Sequence, residues 1–386
     1  MTTPGIGLIG CGARLRTLVK QLLEIEPAVR VRAMYDPNPT AIAEARSYCG
    51  FGDDVATCDS DDALVGRDDV AWVMIGSRNC DHRANAVKAL EAGKHVYCEK
   101  PLATTLDDCL AMRDAWRAAG DRQFVMGFTL RFSPFYRKLR ELLADGAIGE
   151  LISFEFNETL DWNHGGFIHG DWRRKRDLAG SHLLEKTCHD IDLAYWMTGS
   201  LPRRAASFGG LRFFTPDHRY HVERIGPDAR GRPPYACWFD PKFDHADPFT
   251  DDKSIVDHQV AIIEYASGVR ATFHTNCNTA IPERRMYLLG SEGSIRGDVI
   301  EGLIELHRIG WETQRQRIDP GVAGGHGGGD AVLCRELADC MLGGDPPPVG
   351  LNEGLISAAT CFAIDQAMDE GRVVDAESMW QHVQPD

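Results

Sequence analysis

The chain has 386 residues, with 57 Asp and Glu against 42 Lys and Arg and a formal net charge of −15. This length is enough for two domains with sizeable cores. The negative charge opposes loose binding to nucleic acid or to an anionic membrane, since both depend on clustered Lys and Arg. These properties favour a small-molecule partner and argue against a nucleic-acid or membrane partner.

The N-terminal sequence MTTPGIGLIGCG lacks the pattern of a signal peptide, and no segment holds eighteen consecutive uncharged apolar residues. We therefore expect a cytoplasmic protein. The twelve cysteines are scattered without a Cys-x-x-Cys pair. This distribution predicts reduced, mostly buried thiols and no metal site.

The first predicted element is a strand, a glycine turn and a helix. An apolar run is followed by Gly10 and Gly12, and then by leucine and valine at helical spacing. Glycines allow the tight turn and let a pyrophosphate approach the amides at the helix N-terminus. Leu15 stands where the dinucleotide-binding fingerprint has its third glycine. The turn, together with Ala13 and Arg14, is a candidate cofactor site.

The second predicted strand, VRVRAMYD, ends at Asp36. An acidic residue at about this distance from the glycine turn accepts hydrogen bonds from the adenosine ribose and repels a 2′-phosphate. The sequence therefore favours NAD over NADP, although Arg14 and Arg16 offer two cations to such a phosphate. The alternative is an ordinary aspartate before a DPNP turn.

Strands and helices continue to alternate through VAWVMIG, HRANAVKALEAG, KHVYCE, a helix near 106–119 and QFVMGF. This alternation predicts a Rossmann-type, doubly wound parallel sheet. Longer strands with turn signals follow, as in VDHQVAIIEYASGVRATFHTN, and indicate a large open mixed or antiparallel sheet. We expect an α/β protein with a cofactor-binding domain over 1–126 and a substrate-binding and oligomerisation domain, itself α/β, over 127–386. Segment 213–254 is expected to be a long loop or lid over the substrate domain, or an arm that reaches a partner subunit.

The predicted helix LLEKTCHDIDLAYW carries a polar face. Glu185, His189 and Asp192 lie at i, i+4 and i+7 and therefore project from one side. Two carboxylates beside an imidazole would fix its ring and raise its pKa, which makes it a better proton acceptor near neutral pH. One histidine with two carboxylates is a poor set of ligands for zinc. Lys186 and Asp190 either form an exposed i, i+4 pair or contact the substrate.

Several stretches together resemble the glucose–fructose oxidoreductase, inositol dehydrogenase and MocA-like (Gfo/Idh/MocA) family. They are GLIGCG, SRNCDHRANAVKALEAGKHVYCEKPLA, GFTLRFSPFY, LLEKTCHDIDLAYWMTG, YLLGSEGSIRGDV and GGHGGGD, and they are spread over nearly the whole chain. The resemblance implies a nicotinamide-binding Rossmann domain and hydride transfer at a sugar or polyol carbon. It also implies that the open sheet forms an oligomer interface, which would give a homodimer or homotetramer.

The resemblance also assigns catalytic roles. Lys100 matches the lysine of the family's Glu-Lys-Pro motif, which hydrogen-bonds the hydroxyl group undergoing oxidation; an ammonium there stabilises the oxygen as it loses its proton. Glu99 is expected to orient this turn or to contact the nicotinamide ribose. His189 corresponds to the family's catalytic histidine and would act as the base. Glu185 stands where the family usually has aspartate, which suggests a subfamily with its own substrate geometry.

Further site residues are expected from the same motifs and from the aromatic, basic loop DWNHGGFIHGDWRRKRD. Tryptophan faces suit sugar rings and arginine suits an anionic group, so the loop would fit an acidic sugar. Aspartates flank the basic run DWRRKRD, however, and this pattern favours a solvated turn. His326 is expected either to reach the pocket or to cap a helix that begins near Asp330. The candidates are Asn79 and His82 for the cofactor, and Arg131, Trp162, His164, Trp172, Arg173, Lys186 and His326 for the substrate.

The sequence therefore predicts an NAD-dependent oxidoreductase of sugars or sugar-like polyols, in which Lys100 and His189 handle the hydroxyl proton. Some relatives of this fold retain NAD and cleave glycosides by transient oxidation, elimination and re-reduction. An NAD-dependent glycosidase is therefore the alternative function. Net formation of NADH distinguishes the dehydrogenase from the glycosidase.

Overall fold

The structure, a computed structural model, describes residues 4–236, 246–322, 324–343 and 349–383. Within these ranges the chain divides into two units. The first unit takes its residues from 1–133 and 323–358, and the second from 134–322 and 359–384.

The first part of the chain alternates strands and helices, as expected. The strands are β1 (Gly5–Ile9), β2 (Arg30–Tyr35), β3 (Ala56–Thr57), β4 (Trp72–Ile75), β5 (His95–Cys98) and β6 (Phe124–Met126). The helices are α1 (Ala13–Ile25), α2 (Pro39–Cys49), α3 (Asp61–Val65), α4 (His82–Glu91) and α5 (Leu106–Ala118).

The six strands form a parallel sheet in the order β3-β2-β1-β4-β5-β6. Every residue of β1 and β4 is buried, because helices cover both faces of such a sheet, and this explains their continuous apolar sequences. The strand order reverses between β1 and β4, the place where doubly wound sheets bind dinucleotides. The Rossmann prediction is confirmed.

The second part of the chain is built from longer strands. Its helices are α6 (Pro134–Ala144), α7 (Trp162–His169), α8 (Arg176–Ala179), α9 (His182–Thr198) and α10 (Tyr220–Ile225). Its strands are β7 (Leu151–Asp161), β8 (Pro202–Gly210), β9 (His258–Tyr265), β10 (Arg270–Thr279), β11 (Arg285–Gly290), β12 (Gly293–Asp298), β13 (Leu303–Arg308) and β14 (Gln316–Ile318). The chain ends with α11 (Gly329–Gly343), α12 (Leu351–Glu370), β15 (Val374–Asp375) and α13 (Glu377–Val383).

The C-terminal part does not stay in one domain, which differs from the boundary expected at 126/127. Helix α11 belongs to the first unit and packs against α1, where the thiol of Cys334 lies 3.6 Å from the carbonyl oxygen of Leu18. The amide of Met126 donates to the carbonyl oxygen of Val349 at 2.8 Å. These contacts join residues far apart in sequence, so no local composition change marks them.

The second unit contains a nine-stranded mixed sheet in the order β14-β13-β12-β11-β7-β10-β9-β8-β15. Among the strands that the structure describes in this sheet, only β7 and β10 pair in parallel. Strand β9 alternates buried and exposed residues, as expected when one face packs on the core and the other faces solvent. On the open face, the exposed fractions of Phe208, Val260 and Ile262 are 72%, 44% and 61%. Glu155, His274 and Arg285 also line a pocket of about 350 Å³ there.

The described part of segment 213–254 includes α10, which has no buried residue, and a few buried aromatic residues. Phe214, Tyr235 and Phe249 are buried in one cluster with Phe167 of α7. The carboxylate of Asp257 accepts the backbone N–H groups of residues 212–214 at 2.6–3.0 Å. These contacts anchor the segment on the second unit, and its role as a lid or an arm stays a prediction. Residues 237–245 of the segment lie outside the described ranges.

No helix in the described ranges combines the length and apolarity needed to cross a membrane. All the cysteines described by the structure are free; Cys237 lies outside the described ranges. The same ranges contain no group of three His, Cys, Asp or Glu side chains arranged to hold a metal ion.

Candidate active site

The glycine turn after β1 leaves room for a ligand at the start of α1. Gly10 has φ +84°, and a Cβ there would lie 2.4 Å from the amide nitrogen of Ser77, so only glycine fits. A Cβ on Gly12 would meet nothing within 4 Å. No side chain caps α1 and its first turn has no acidic residue. The amides beginning at Ala13 can therefore take an anion, and the site fits a pyrophosphate.

Asp36 lies at the end of β2, next to this turn. Its two carboxylate oxygens accept the amide hydrogens of Cys11 at 2.7 Å and Asn38 at 2.8 Å. Each oxygen keeps a second lone pair, so the carboxylate can still accept from ribose hydroxyls. Arg16, one of the two cations considered for a 2′-phosphate, is paired with Glu44 at 2.6 Å. The geometry fits NAD.

Arg14, the other cation, is engaged by three partners. Its guanidinium donates to Glu99 at 3.0 Å, to Asp330 at 2.7 Å and to the hydroxyl of Thr129 at 2.8 Å. Burial lowers the pKa of Arg14, but Glu99 and the other acidic neighbours outweigh this effect and raise it. Tyr97 donates a further hydrogen bond to Glu99 at 2.9 Å. Arg14 and Tyr97 therefore hold the carboxylate of Glu99 directly before Lys100, and its contact with the nicotinamide ribose stays a prediction.

Lys100 is half-buried and lies two residues after the end of β5, so it is at the carboxyl edge of the parallel sheet. His82 supports this turn: its Nδ1 is 2.8 Å from the carbonyl oxygen of Pro101, and its Nε2 is 3.3 Å from that of Ser77. His82 is 1% exposed, and burial lowers its pKa. His82 thus links the segments that follow β4 and β5, and its contact with the cofactor stays a prediction. Asn79 is buried beside it.

His326 lies in a glycine-rich turn with φ +50°. Its Nδ1 is 3.0 Å from Asp330, whose other oxygen binds Arg14. Burial raises the pKa of Asp330, but His326 and Arg14 outweigh it and hold the pKa well below the usual range. His326 therefore joins the Arg14 network just before α11, which begins at Gly329. Arg131 is buried in a short 3₁₀ turn.

In the second unit, α9 carries the predicted polar face. The helix begins after Ser181, whose hydroxyl accepts the amide of Leu184 at 3.1 Å. Glu185, His189 and Asp192 are 6%, 4% and 1% exposed. Buried polar groups of this kind need partners, since burial without them is costly.

Arg173 supplies the partner of Glu185. Its Nε donates to Glu185 at 3.0 Å and its Nη1 to Asp171 at 2.7 Å. The guanidinium carbon also lies 4.8 Å from the ring centroid of Phe167 and 4.6 Å from that of Trp172. Arg173 therefore lies inside a charged and aromatic cluster, and the solvated-turn interpretation is wrong for this residue.

The neighbouring cations are engaged in the same way. Arg174 is 8% exposed and donates to the carbonyl oxygen of Asp171 at 2.9 Å. Lys175 pairs with Asp252, and Arg176 pairs with Asp369 at 3.0 Å. All four cations of the loop thus have partners within the chain. The expectation of an anionic sugar stays a prediction.

Lys186 and Asp190 do not form the exposed pair that their spacing suggested. Lys186 donates to Glu158 at 2.9 Å, and Asp190, 2% exposed, accepts two hydrogen bonds from Arg284 at 2.9 and 2.7 Å. Arg284 also reaches Glu158 at 2.9 Å. Burial raises the pKa of Asp190 to about 7. Burial also acts to raise the pKa of Glu158, but Arg284 and Lys186 outweigh the effect of burial and lower this pKa to about 2.

The remaining candidates lie around this network. Burial and nearby Lys186 lower the pKa of His164 well below its usual value. Trp162 packs edge-on against Tyr235 with ring centroids 5.3 Å apart. Trp172 is covered by the guanidinium of Arg173. Sequence reasoning missed Glu158 and Arg284, because nothing in the local pattern indicates partners so distant in sequence.

The doubly wound sheet, the open glycine turn and Asp36 define the first unit as a dinucleotide-binding domain. Residues 5–128 match the sequence model of the "Oxidoreductase family, NAD-binding Rossmann fold". Residues 136–296 match that of the "GFO/IDH/MocA C-terminal domain". The chain therefore belongs to the Gfo/Idh/MocA family of NAD-binding oxidoreductases, and the resemblance found in the sequence is confirmed.

Known proteins are similar over different lengths. YteT of Bacillus subtilis is 27% identical over 81% of this chain and 79% of its own length. The inositol 2-dehydrogenase of Gluconacetobacter diazotrophicus is 36% identical, over 50% of this chain and 54% of its own length. A levoglucosan dehydrogenase solved in complex with NADH has a TM-score of 0.79 at 21% identity, covering 97% of this chain and 99% of that one. At this identity the structural match supports the fold.

Proposed function

We propose that the protein is an NAD-dependent dehydrogenase of neutral sugars or sugar-like polyols. The observation that carries the proposal is the position of Lys100: it follows β5 at the carboxyl edge of the sheet whose glycine turn and Asp36 fit the cofactor. Relatives named inositol 2-dehydrogenase and levoglucosan dehydrogenase support a sugar-like substrate. The two-domain organisation expected from the sequence suits one cofactor domain and one substrate domain.

The proposal gives each residue a separate task. NAD, when bound, supplies the acceptor for the hydride that leaves the substrate carbon. Lys100 holds the substrate hydroxyl and stabilises its oxygen as the proton leaves. His189 accepts this proton, and Glu185 and Asp192 orient its imidazole. The Arg14–Glu99 pair fixes the turn from which Lys100 projects.

A substrate screen tests this proposal directly. The purified protein is mixed with NAD and a panel of cyclitols, anhydrosugars and monosaccharides, and NADH formation is followed by its absorbance. Steady NADH formation with one of them is the expected result. Aryl glycosides are tested in parallel: hydrolysis without NADH accumulation would instead indicate the glycosidase.

The first prediction concerns the choice of cofactor. NAD should bind more tightly than NADP, because Asp36 accepts from ribose hydroxyls and repels a 2′-phosphate. Asp36→Ser should weaken NAD binding by about tenfold or more, since a hydrogen bond to a charged group contributes about 1.5–3 kcal/mol. NADP binding should weaken less, because the substitution also removes the repulsion of the 2′-phosphate, so the difference between the two affinities should narrow. Calorimetric titration of both cofactors measures these affinities.

Two further variants complete this comparison. Asp53→Ser replaces an exposed aspartate of the same unit and should leave both affinities unchanged. Asp36→Asn keeps an acceptor for the amide of Cys11, so it separates the charge effect from loss of the turn. Tighter binding of NADP than of NAD to the unaltered protein would contradict the assignment.

We also propose that the protein forms a homo-oligomer through the open face of the nine-stranded sheet. The support is the apolar surface formed by Phe208, Val260 and Ile262, because large exposed apolar patches commonly mark interfaces. The pocket on this face contains none of the predicted site residues. It is therefore a better candidate for contact between copies than for substrate binding.

The second prediction follows from this surface. The double substitution Phe208→Glu with Ile262→Glu should lower the molar mass in solution by at least about half, because interface cores exclude charged residues. Light scattering coupled to size exclusion measures the mass. Trp311→Ser, at a side chain 98% exposed in the turn between β13 and β14, is the control and should have no effect. A monomeric unaltered protein would refute the proposal.

A further inference from the structure

Arg173 lies between two buried carboxylates of the second unit. Glu185 on α9 is 6% exposed and Asp171 is 7% exposed, and each binds a different nitrogen of the same guanidinium. The backbone amide of Arg173 also donates to Asp171 at 2.8 Å. A planar guanidinium that binds two carboxylates fixes the position of both.

The aromatic neighbours fix the guanidinium further. Phe167 and Trp172 both lie within 5 Å of it, at 4.8 and 4.6 Å from ring centroid to guanidinium carbon. Such contacts stabilise a cation over an aromatic face. If Arg173 turned away to bind a substrate, Glu185 and Asp171 would be left buried without this cation, at a large cost in free energy.

Glu185 is one helical turn before His189. Side chains four residues apart on a helix are neighbours, with Cβ atoms about 5–6 Å apart. A carboxylate held in one position can therefore hold the imidazole in one orientation, whereas a carboxylate with several rotamers cannot.

We propose that Arg173 is a positioning residue: it holds the carboxylate of Glu185 in place, and through Glu185 it sets the orientation and proton affinity of His189. This inference rests on the proposed function, in which His189 accepts the hydroxyl proton. It replaces the expectation that Arg173 contacts an anionic sugar.

Other titratable groups also face Glu185. His164 comes from α7, Cys277 from β10 and His182 from α9 itself. Burial lowers the pKa of His182 to about 4 and that of His164 well below its usual value, and burial raises the pKa of the Cys277 thiol. All three are uncharged near neutral pH. Arg173 is charged at every working pH, so its removal changes the field at Glu185 most directly.

Three variants separate charge from geometry. Arg173→Met removes the charge and keeps much of the length. Arg173→Lys keeps the charge but loses the fork that binds both carboxylates. The double substitution Asp171→Asn with Arg173→Met removes one charge of each sign. Arg176→Met, at a more exposed ion pair with Asp369 in the same loop, is the matched control.

The expected result for Arg173→Met is a fall in kcat of about tenfold to a hundredfold, with KM changed by less than about threefold. The acid limb of the kcat–pH profile should move to higher pH, because loss of a nearby cation raises the pKa of each neighbouring acid. Arg173→Lys should keep the acid limb at the pH found for the unaltered protein, with a kcat between those of Arg173→Met and the unaltered protein. In the double variant the acid limb should lie close to that of the unaltered protein, while kcat stays low.

A readout that does not depend on activity is the imidazole titration of His189. Its NMR signal in histidine-labelled protein is assigned by its absence in His189→Gln. In Arg173→Met the pKa of His189 should rise by about half a unit or more, and in Arg176→Met it should not change. If Arg173→Met does not fold, the lysine and double variants provide the same comparison.

The outcomes distinguish the two proposals. If the unaltered protein forms no NADH with any sugar, the proposed function fails, and the His189 titration still tests the role of Arg173. If the protein is active but Arg173→Met keeps the parent kcat, pH limb and His189 titration, the inference alone is overturned. A raised KM with unchanged kcat would overturn it in favour of substrate binding.

Discussion

Replacing Lys100 or His189 with alanine should lower turnover by about a hundredfold or more. Lys100→Ala removes the cation that stabilises the substrate oxygen as its proton leaves. His189→Ala removes the group that accepts this proton. Hydride leaves the carbon only as the hydroxyl is deprotonated, so neither loss can be offset by tighter substrate binding. Turnover is measured with saturating NAD on the best sugar of the screen.

Both variants need tests of folding and cofactor binding. Circular dichroism should be unchanged. NAD affinity should fall by less than about threefold, since the turn of Gly12 and Asp36 carries most cofactor contacts. Lys138→Ala, at an exposed pair with Glu141, and His307→Ala, at an exposed histidine, should keep the parent turnover. Near-normal turnover in Lys100→Ala or His189→Ala would remove that residue from the mechanism.

The first unit was predictable because its signals are local. Apolar strands, a glycine turn and helical periodicity each lie within a dozen residues, and the observed strand order is the one that doubly wound folds use. Asp36 was also placed correctly at the end of β2. The return of α11 to this unit was missed, because its packing against α1 is a contact between distant parts of the chain.

The polar network on α9 shows a different limit of sequence reasoning. Helical spacing suggested a Lys186–Asp190 pair, but such exposed pairs contribute only about 0.3–0.5 kcal/mol. The helix is buried, so its charges take partners that compensate desolvation more fully. These partners, Glu158 and Arg284, lie 28 and 94 residues away in the sequence. Periodicity identifies which residues share a helix face but not what that face meets.

The aromatic, basic loop was misread for the same reason. DWRRKRD has the composition of a solvated turn, yet Arg173 is held by a carboxylate twelve residues further along the chain. The cation therefore belongs to the network of α9 and not to solvent. A run of charges in the sequence gives the charge of a segment, whereas burial decides whether that charge is structural.

Arg284→Met is expected to lower the free energy of unfolding by about 3–5 kcal/mol, because it leaves a buried ion network without its central cation. Arg284 binds Asp190 through two nitrogens and Glu158 through a third. After the substitution Glu158 still has Lys186, so most of the cost falls on Asp190. Urea denaturation followed by circular dichroism measures the change.

The loss should depend on pH with a defined sign. Burial already raises the pKa of Asp190 to about 7 in the intact protein, against the lowering effect of Arg284, so removing Arg284 raises it further. When folding raises the pKa of a carboxyl group, the free energy of unfolding of the protein falls as the pH rises from the pKa in the unfolded state, about 3.9, through the pKa in the folded state. The loss in free energy of unfolding caused by Arg284→Met should therefore be larger at about pH 8 than at about pH 5.

Arg296→Met is the matched control. Arg296 pairs with Glu305 across neighbouring strands, but its side chain is 55% exposed, against 9% for Arg284. Exposed ion pairs contribute at most about 1 kcal/mol, and after the substitution Glu305 still has Arg315 at 3.4 Å and Arg317 at 3.5 Å. Equal losses in the two variants would mean that burial does not set the cost at Arg284. A larger loss at acid than at alkaline pH would mean that Asp190 is not the group left uncompensated.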